Sequence, residues 1–81
     1  MLTAGQCRAA RAFLKWTLPE LAHVSMVSVS TINAFELEHR QPIRANLSAL
    51  QRAFEAVGVE FIEDDGVRLR PNTPRSAPAA A

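Results

Sequence analysis

Apolar side chains recur every three to four residues as far as Gly58 and every second residue beyond it, so the chain divides into a helical part and a strand part. Cys7, Ala10 and Leu14 mark the inner stripe of a first helix running from Thr3 to Lys15, with Thr3 as its N-cap. Phe13 and Trp16 leave this stripe and are expected to cover the seam with the next helix. That helix opens on a capping box: Thr17 supplies the hydroxyl, Pro19 sits in the first turn where an N–H has no helical partner, and Glu20 lies at N3. It is expected to end near His23 or Val24, with Leu21 and Ala22 inward. Ser25 to Val27 then reads as a turn, and Ser28 caps a third helix from Val29 to about Leu37. Ile32 and Phe35 face its core side. Val29, Ser30, Asn33 and Ala34 lie elsewhere, and together they leave a face of small and polar groups that needs another surface to lie against. Leu47, Leu50, Phe54 and Val57 repeat at i, i+3, i+7 and i+10, the strongest period in the chain. They predict a helix from about Arg44 or Ala45, stopped by Gly58 at C′.

Past Gly58, Val59, Phe61, Val67 and Leu69 alternate with Glu60, Ile62, Arg68 and Arg70 around Asp64-Asp65-Gly66, which reads as a β-hairpin. A three-residue loop with Gly66 in the left-handed conformation pairs Phe61 with Leu69 and Glu60 with Arg70 and keeps the apolar set on one face. Two strands alone are marginal in water, so the hairpin must pack on the helices or pair with another chain. Residues 71–81, PNTPRSAPAAA, carry no apolar face and are expected to be a disordered tail. The expectation is a mainly α fold: a compact bundle of four to five helices with a helix-turn-helix, followed by a short C-terminal β-hairpin. It would form one domain over residues 1–70, with the bundle over 3–58 and the hairpin over 59–70.

Composition changes this picture only slightly. At 81 residues with 48% apolar side chains there is room for one thin core, which dimerisation would reinforce. The single cysteine, Cys7, excludes an internal disulfide and reads as a small core residue. With no charged-then-apolar leader and no apolar run of 18 residues, neither secretion nor a membrane is expected, and a reducing cytoplasm is the simplest location. The net charge is +1, made of +2 over residues 1–44 and −1 over 45–81, so the basic excess falls on the half that holds the helix-turn-helix. Arg8, Arg11 and Lys15 fall within an arc of about 60° on the first helix, either as a solvated face or as a phosphate-facing stripe. His23 has no second ligand at metal spacing and reads as a surface histidine. No paired-carboxylate, Cys/His or Gly-rich phosphate pattern points to an enzyme, and no metal, cofactor or small-molecule ligand is expected.

Thr17, Glu20-Leu21-Ala22, Val27-Ser28, Thr31-Ile32, Phe35-Glu36 and Pro42 together resemble the signature of the Cro and phage-repressor-like (XRE) helix-turn-helix family, over roughly residues 5 to 58. The ending Gly58 to Ile62 with Val67 to Arg70 is similar to that of a subgroup of very small bacterial regulators of this family. The resemblance implies a helical bundle whose second and third helices read double-stranded DNA, usually in a homodimer. It also implies that Arg11 pairs with Glu36 in a structural ion pair. The sequence departs from the family pattern at four places: Leu18 stands for the usual glutamine, Met26 for the turn glycine, Val29 for a frequent basic residue, and Leu37-Glu38 for Arg/Asn-Gly. At Met26 this requires either a positive φ or a different turn.

On this reading Ser28, Val29, Ser30, Asn33 and Ala34 face the major groove. Asn33 is suited to a paired contact with an adenine edge, Ser30 donates or accepts, and Val29 and Ala34 offer contact to thymine methyls. Thr17, Arg8, Lys15, Arg40, Gln41 and Arg44 are the candidates for phosphate contacts, with the helix starts at Thr17 and Ser28 as further anion sites. The function expected is a sequence-specific transcriptional regulator, a repressor that binds an inverted-repeat operator as a homodimer. The alternative is an antitoxin or anti-activator module that binds another protein through the same fold. The dimer surface would come from the exposed part of the Leu47 to Val57 stripe or from the hairpin edge.

Overall fold

The first three helices begin where a side chain can satisfy the first free N–H groups. The computed structural model describes residues 1–62 and 66–69. Helix α1 spans Ala4–Leu14 and opens on a reciprocal box in which Thr3 Oγ1 accepts from Gln6 N and Gln6 Oε1 accepts from Thr3 N, both at 3.1 Å. Helix α2 spans Leu18–Ser25 behind the Thr17/Glu20 box. Helix α3 spans Val29–Glu36, with Ser28 Oγ accepting from Thr31 N at 3.2 Å. Helix α4 spans Arg44–Glu55 and starts at Ile43 without a side-chain cap. Strands β1 (Val59–Ile62) and β2 (Gly66–Leu69) form an antiparallel hairpin. The chain is thus mainly helical, with four helices and a C-terminal hairpin among the described residues.

The core is built from the predicted stripes. Cys7, Ala10 and Leu14 of α1, Leu21 of α2, Ile32 and Phe35 of α3, and Leu47, Leu50 and Phe54 of α4 are all buried. Phe54 sits at the centre, stacked on Trp16 at 5.7 Å and meeting Phe61 of the hairpin edge-on at 5.9 Å. Helix α2 packs on α3 and α4, α1 packs on α3 and β2, and β1 packs on α4. The Leu47, Leu50 and Phe54 positions are therefore consumed within one molecule, with only Val57 left half-buried, and the stripe has little apolar area to offer a second copy. No helix among the described residues is long and apolar enough to cross a membrane.

Three local expectations are corrected, and at Met26 one of two alternatives is chosen. Trp16 is buried as expected but Phe13 is 50% exposed, because Lys15 adopts a left-handed conformation (φ 58°) that turns Trp16 into the core and leaves Phe13 on the outer side of α1. Ser25 belongs to α2 and is buried, not the start of the turn: its hydroxyl donates to Leu21 O at 2.7 Å and accepts from Val27 N at 3.2 Å, so it carries its own partners inside. Met26 takes the positive-φ alternative, at φ 62°. The hairpin register is two residues from the expected one, pairing Phe61 with Val67 and Glu60 with Arg68. A shift of two preserves the faces, which is why the alternation alone did not choose between them. Gly66 pairs with Ile62 inside the ladder, and the carbonyls of both accept from Gln6 Nε2 at 3.1 and 3.0 Å, which pins the hairpin to α1 in this register. The connection 63–65, Arg70 and the tail 71–81 lie outside the described residues.

Candidate nucleic-acid interface

Helix α3 has two sides of opposite character. Its inner side carries Ile32 and Phe35 in the core and Glu36, which is only 5% exposed. Burying a carboxylate without partners would be costly, and here it has three donors. Arg11 approaches it as a fork, Nε to Oε2 at 2.8 Å and Nη2 to Oε1 at 2.7 Å, and the Cys7 thiol donates to Oε2 at 3.1 Å. Arg11 also donates to Trp16 O at 3.0 Å, joining α3 to the turn after α1. Burial alone would raise the Glu36 carboxyl. The hydrogen bonds from Arg11 and Cys7, with the positive charges of Arg11 and Arg8, outweigh it and hold the group below its ordinary value. The Arg11 guanidinium is pushed up by its hydrogen bond to Glu36, and burial pushes the Cys7 thiol far up, which leaves it a neutral donor.

The outer side carries Val29, Ser30 and Asn33, all exposed, and continues into Leu37. The Asn33 amide has no hydrogen-bond partner among the described residues, while Ser28 is spent on the cap: its hydroxyl accepts from Thr31 N and donates to Thr31 Oγ1 at 2.8 Å. Ser30 Oγ lies 3.4 Å from it. Ala34, expected on the groove side, is half-buried, because it stands one residue before Phe35 and faces the flank of the helix. The face is therefore narrower than the sequence implies and is centred on Asn33.

The expected phosphate contacts divide. Lys15, Arg40, Gln41 and Arg44 are exposed, and among the described residues their side chains have no ion-pair partner. Arg40 and Gln41 lie with Glu38 and His39 along an open groove of about 510 Å³ against residues Met1 to Ala4. Thr17 is different. The Glu20 carboxylate accepts from Thr17 N at 2.8 Å, so the amino end of α2 already holds an anion of the protein's own. Arg8 also departs from the expected role, since it donates to Glu36 O and lies 3.7 Å from the Glu38 carboxylate. Sequence reasoning missed Gln6, and it singled out Met26 for its backbone alone. Gln6 is a buried polar residue at an N3 position that reaches residues about sixty away in sequence, a contact with no local trace. Met26 is 89% exposed at the turn before α3.

No protein-family model matches this chain, and no curated protein matches it.

Proposed function

We propose that the chain is a sequence-specific DNA-binding regulator of the Cro and phage-repressor-like kind, a repressor that places α3 in the major groove. The observation that carries this reading is the exposed, unpartnered Asn33 at the centre of a face otherwise made of hydroxyls and short apolar groups, on a helix locked to the body by a buried ion pair. An amide in that position suits the N6/N7 edge of adenine, and Val29 suits a thymine methyl, so the half-site contains A/T pairs. Affinity for the backbone comes from Lys15, Arg40, Gln41 and Arg44. With so few base contacts one protomer binds weakly, and two copies on an inverted repeat, their α3 helices about 34 Å apart, supply the remainder. Because the α4 stripe is spent on the core, the hairpin is the remaining candidate surface for that dimer, with Ile62 exposed on it.

The test is selection from a pool of random duplexes, followed by titration of the enriched sequence against salt. Enrichment of an A/T-containing inverted repeat, with affinity that falls steeply as salt rises, is the expected result. A second reading, a module that binds another protein through the same face, is favoured by the exposed Met26 and by Leu37, which is 54% exposed at the carboxyl end of α3. Binding of that kind responds little to salt, so the same titration separates the two.

A further inference from the structure

The last four carbonyls of a helix have no partner within it, and their accounting in α3 assigns a role to Arg8. Asn33 O accepts from Leu37 N at 3.0 Å, Ala34 O from His39 N at 2.9 Å, and Phe35 O from Glu38 N at 2.9 Å. Glu38 makes the reversal possible by adopting φ 61°. That leaves Glu36 O, and its partner is the Arg8 guanidinium, which arrives from α1. Helix α3 has no basic residue of its own in its last turn, so Arg8 is also the cation at the negative end of its dipole. The Glu38 carboxylate 3.7 Å away holds the same guanidinium from the other side.

We infer that Arg8 is a positioning residue, which caps the carboxyl end of α3 from α1 and fixes the angle at which α3 leaves the body, and that it is not a phosphate ligand. Together with Arg11 and Cys7 it makes α1 a three-point clasp on one residue: two side chains hold the Glu36 carboxylate and the third holds its carbonyl. The consequence for binding rests on the proposed role of α3 in reading DNA. A phosphate ligand and a positioning cation leave different signatures when removed. Each phosphate contact adds about 0.9 to the slope of log affinity against log salt, whereas a residue that only orients the helix changes affinity at every salt and leaves the slope alone.

The experiment compares Arg8→Ala with Arg40→Ala and the native chain, using the selected duplex over a salt series, and measures amide hydrogen exchange at Glu38 and His39 in each protein. For Arg8→Ala, affinity is expected to fall about tenfold with the native slope kept, and these amides are expected to exchange about tenfold faster, the effect of losing one hydrogen bond to a charged donor. Arg40→Ala should lower the slope by about one contact's worth, 0.9, and leave the exchange as it was. A slope reduced in Arg8→Ala with exchange at native rates overturns the assignment. If the native chain shows no salt-dependent DNA binding, the proposed function fails, and the exchange arm still decides the capping role: faster exchange upholds it and native exchange overturns it.

Discussion

The two sides of α3 obey different rules. On the inner side every polar group has a partner, and Glu36 alone gathers Arg11, Cys7 and, through its carbonyl, Arg8. Among the described residues no fully buried side-chain nitrogen or oxygen lacks a hydrogen bond. On the outer side Asn33 has no side-chain partner among the described residues, Val29 remains 40% exposed, and Met26 before it stands almost wholly in solvent. A helix fastened so closely on one side and left bare on the other gives up flexibility without any gain to the fold from the bare side. That contrast is the physical content of the proposed recognition role.

Substitutions on the fastened side should have the largest effect. Phe54→Ala, at the meeting point of Trp16, Phe54 and Phe61, is expected to cost about 3–5 kcal/mol, close to the whole stability of so small a domain, and should appear in urea titration as a largely unfolded protein. Arg11→Ala leaves the Glu36 carboxylate buried with Cys7 as its remaining side-chain donor, and a loss of about 3 kcal/mol is expected. The same pair predicts a pH dependence. Because Glu36 is held below its ordinary value, its contribution is complete at neutral pH and is lost as the pH falls through the lowered value. Native stability should therefore decline on acidification below the usual carboxylate range. In Glu36→Gln this part of the decline should be missing, and an unchanged pH profile in that variant would remove Glu36 from the account.

On the bare side, effects should fall on binding and spare the fold. Asn33→Ala is expected to melt as the native chain does and to lose about 1–3 kcal/mol of discrimination between the selected site and a random duplex. Loss of stability there, or full retention of specificity, would break the contrast between the two sides. The smallest effect is of opposite sign. Met26 holds φ 62° with its side chain out of the core, so Met26→Gly should stabilise the fold by about 1 kcal/mol, read as a higher melting temperature.

Much of this fold was legible in the sequence, because its signals are local. The Thr17-x-x-Glu20 box, the Ser28 cap and the Leu47 to Phe54 stripe each place an element through contacts within a few residues, and all three elements lie where those signals put them. The resemblance to the phage-repressor signature added the pairing of Arg11 with Glu36, which no periodicity reveals. Three things escaped. Lys15 and Glu38 adopt left-handed backbone without being glycine, so the usual marker of such turns was missing, whereas at Met26 the missing turn glycine had left a positive φ as one of two alternatives. Gln6 and Arg8 bond to backbone carbonyls far away in sequence, and a side chain that will reach a distant carbonyl looks the same on paper as one that will reach solvent. For Arg8 this meant that an arc of cations on α1 was read as solvated or phosphate-facing when one of its members closes the end of α3. The hairpin register escaped because two registers differing by two residues satisfy the same alternation, and only the tie to Gln6 and the Glu60–Arg68 bridge at 2.6 Å distinguish them.

The most direct test of the bare face is selection from random duplex DNA followed by binding over a salt series. The proposed function predicts an A/T-containing inverted repeat with half-sites one helical turn apart, bound by two protomers, with affinity falling steeply as salt rises. A pool that stays random through selection, or binding indifferent to both sequence and salt, would contradict it.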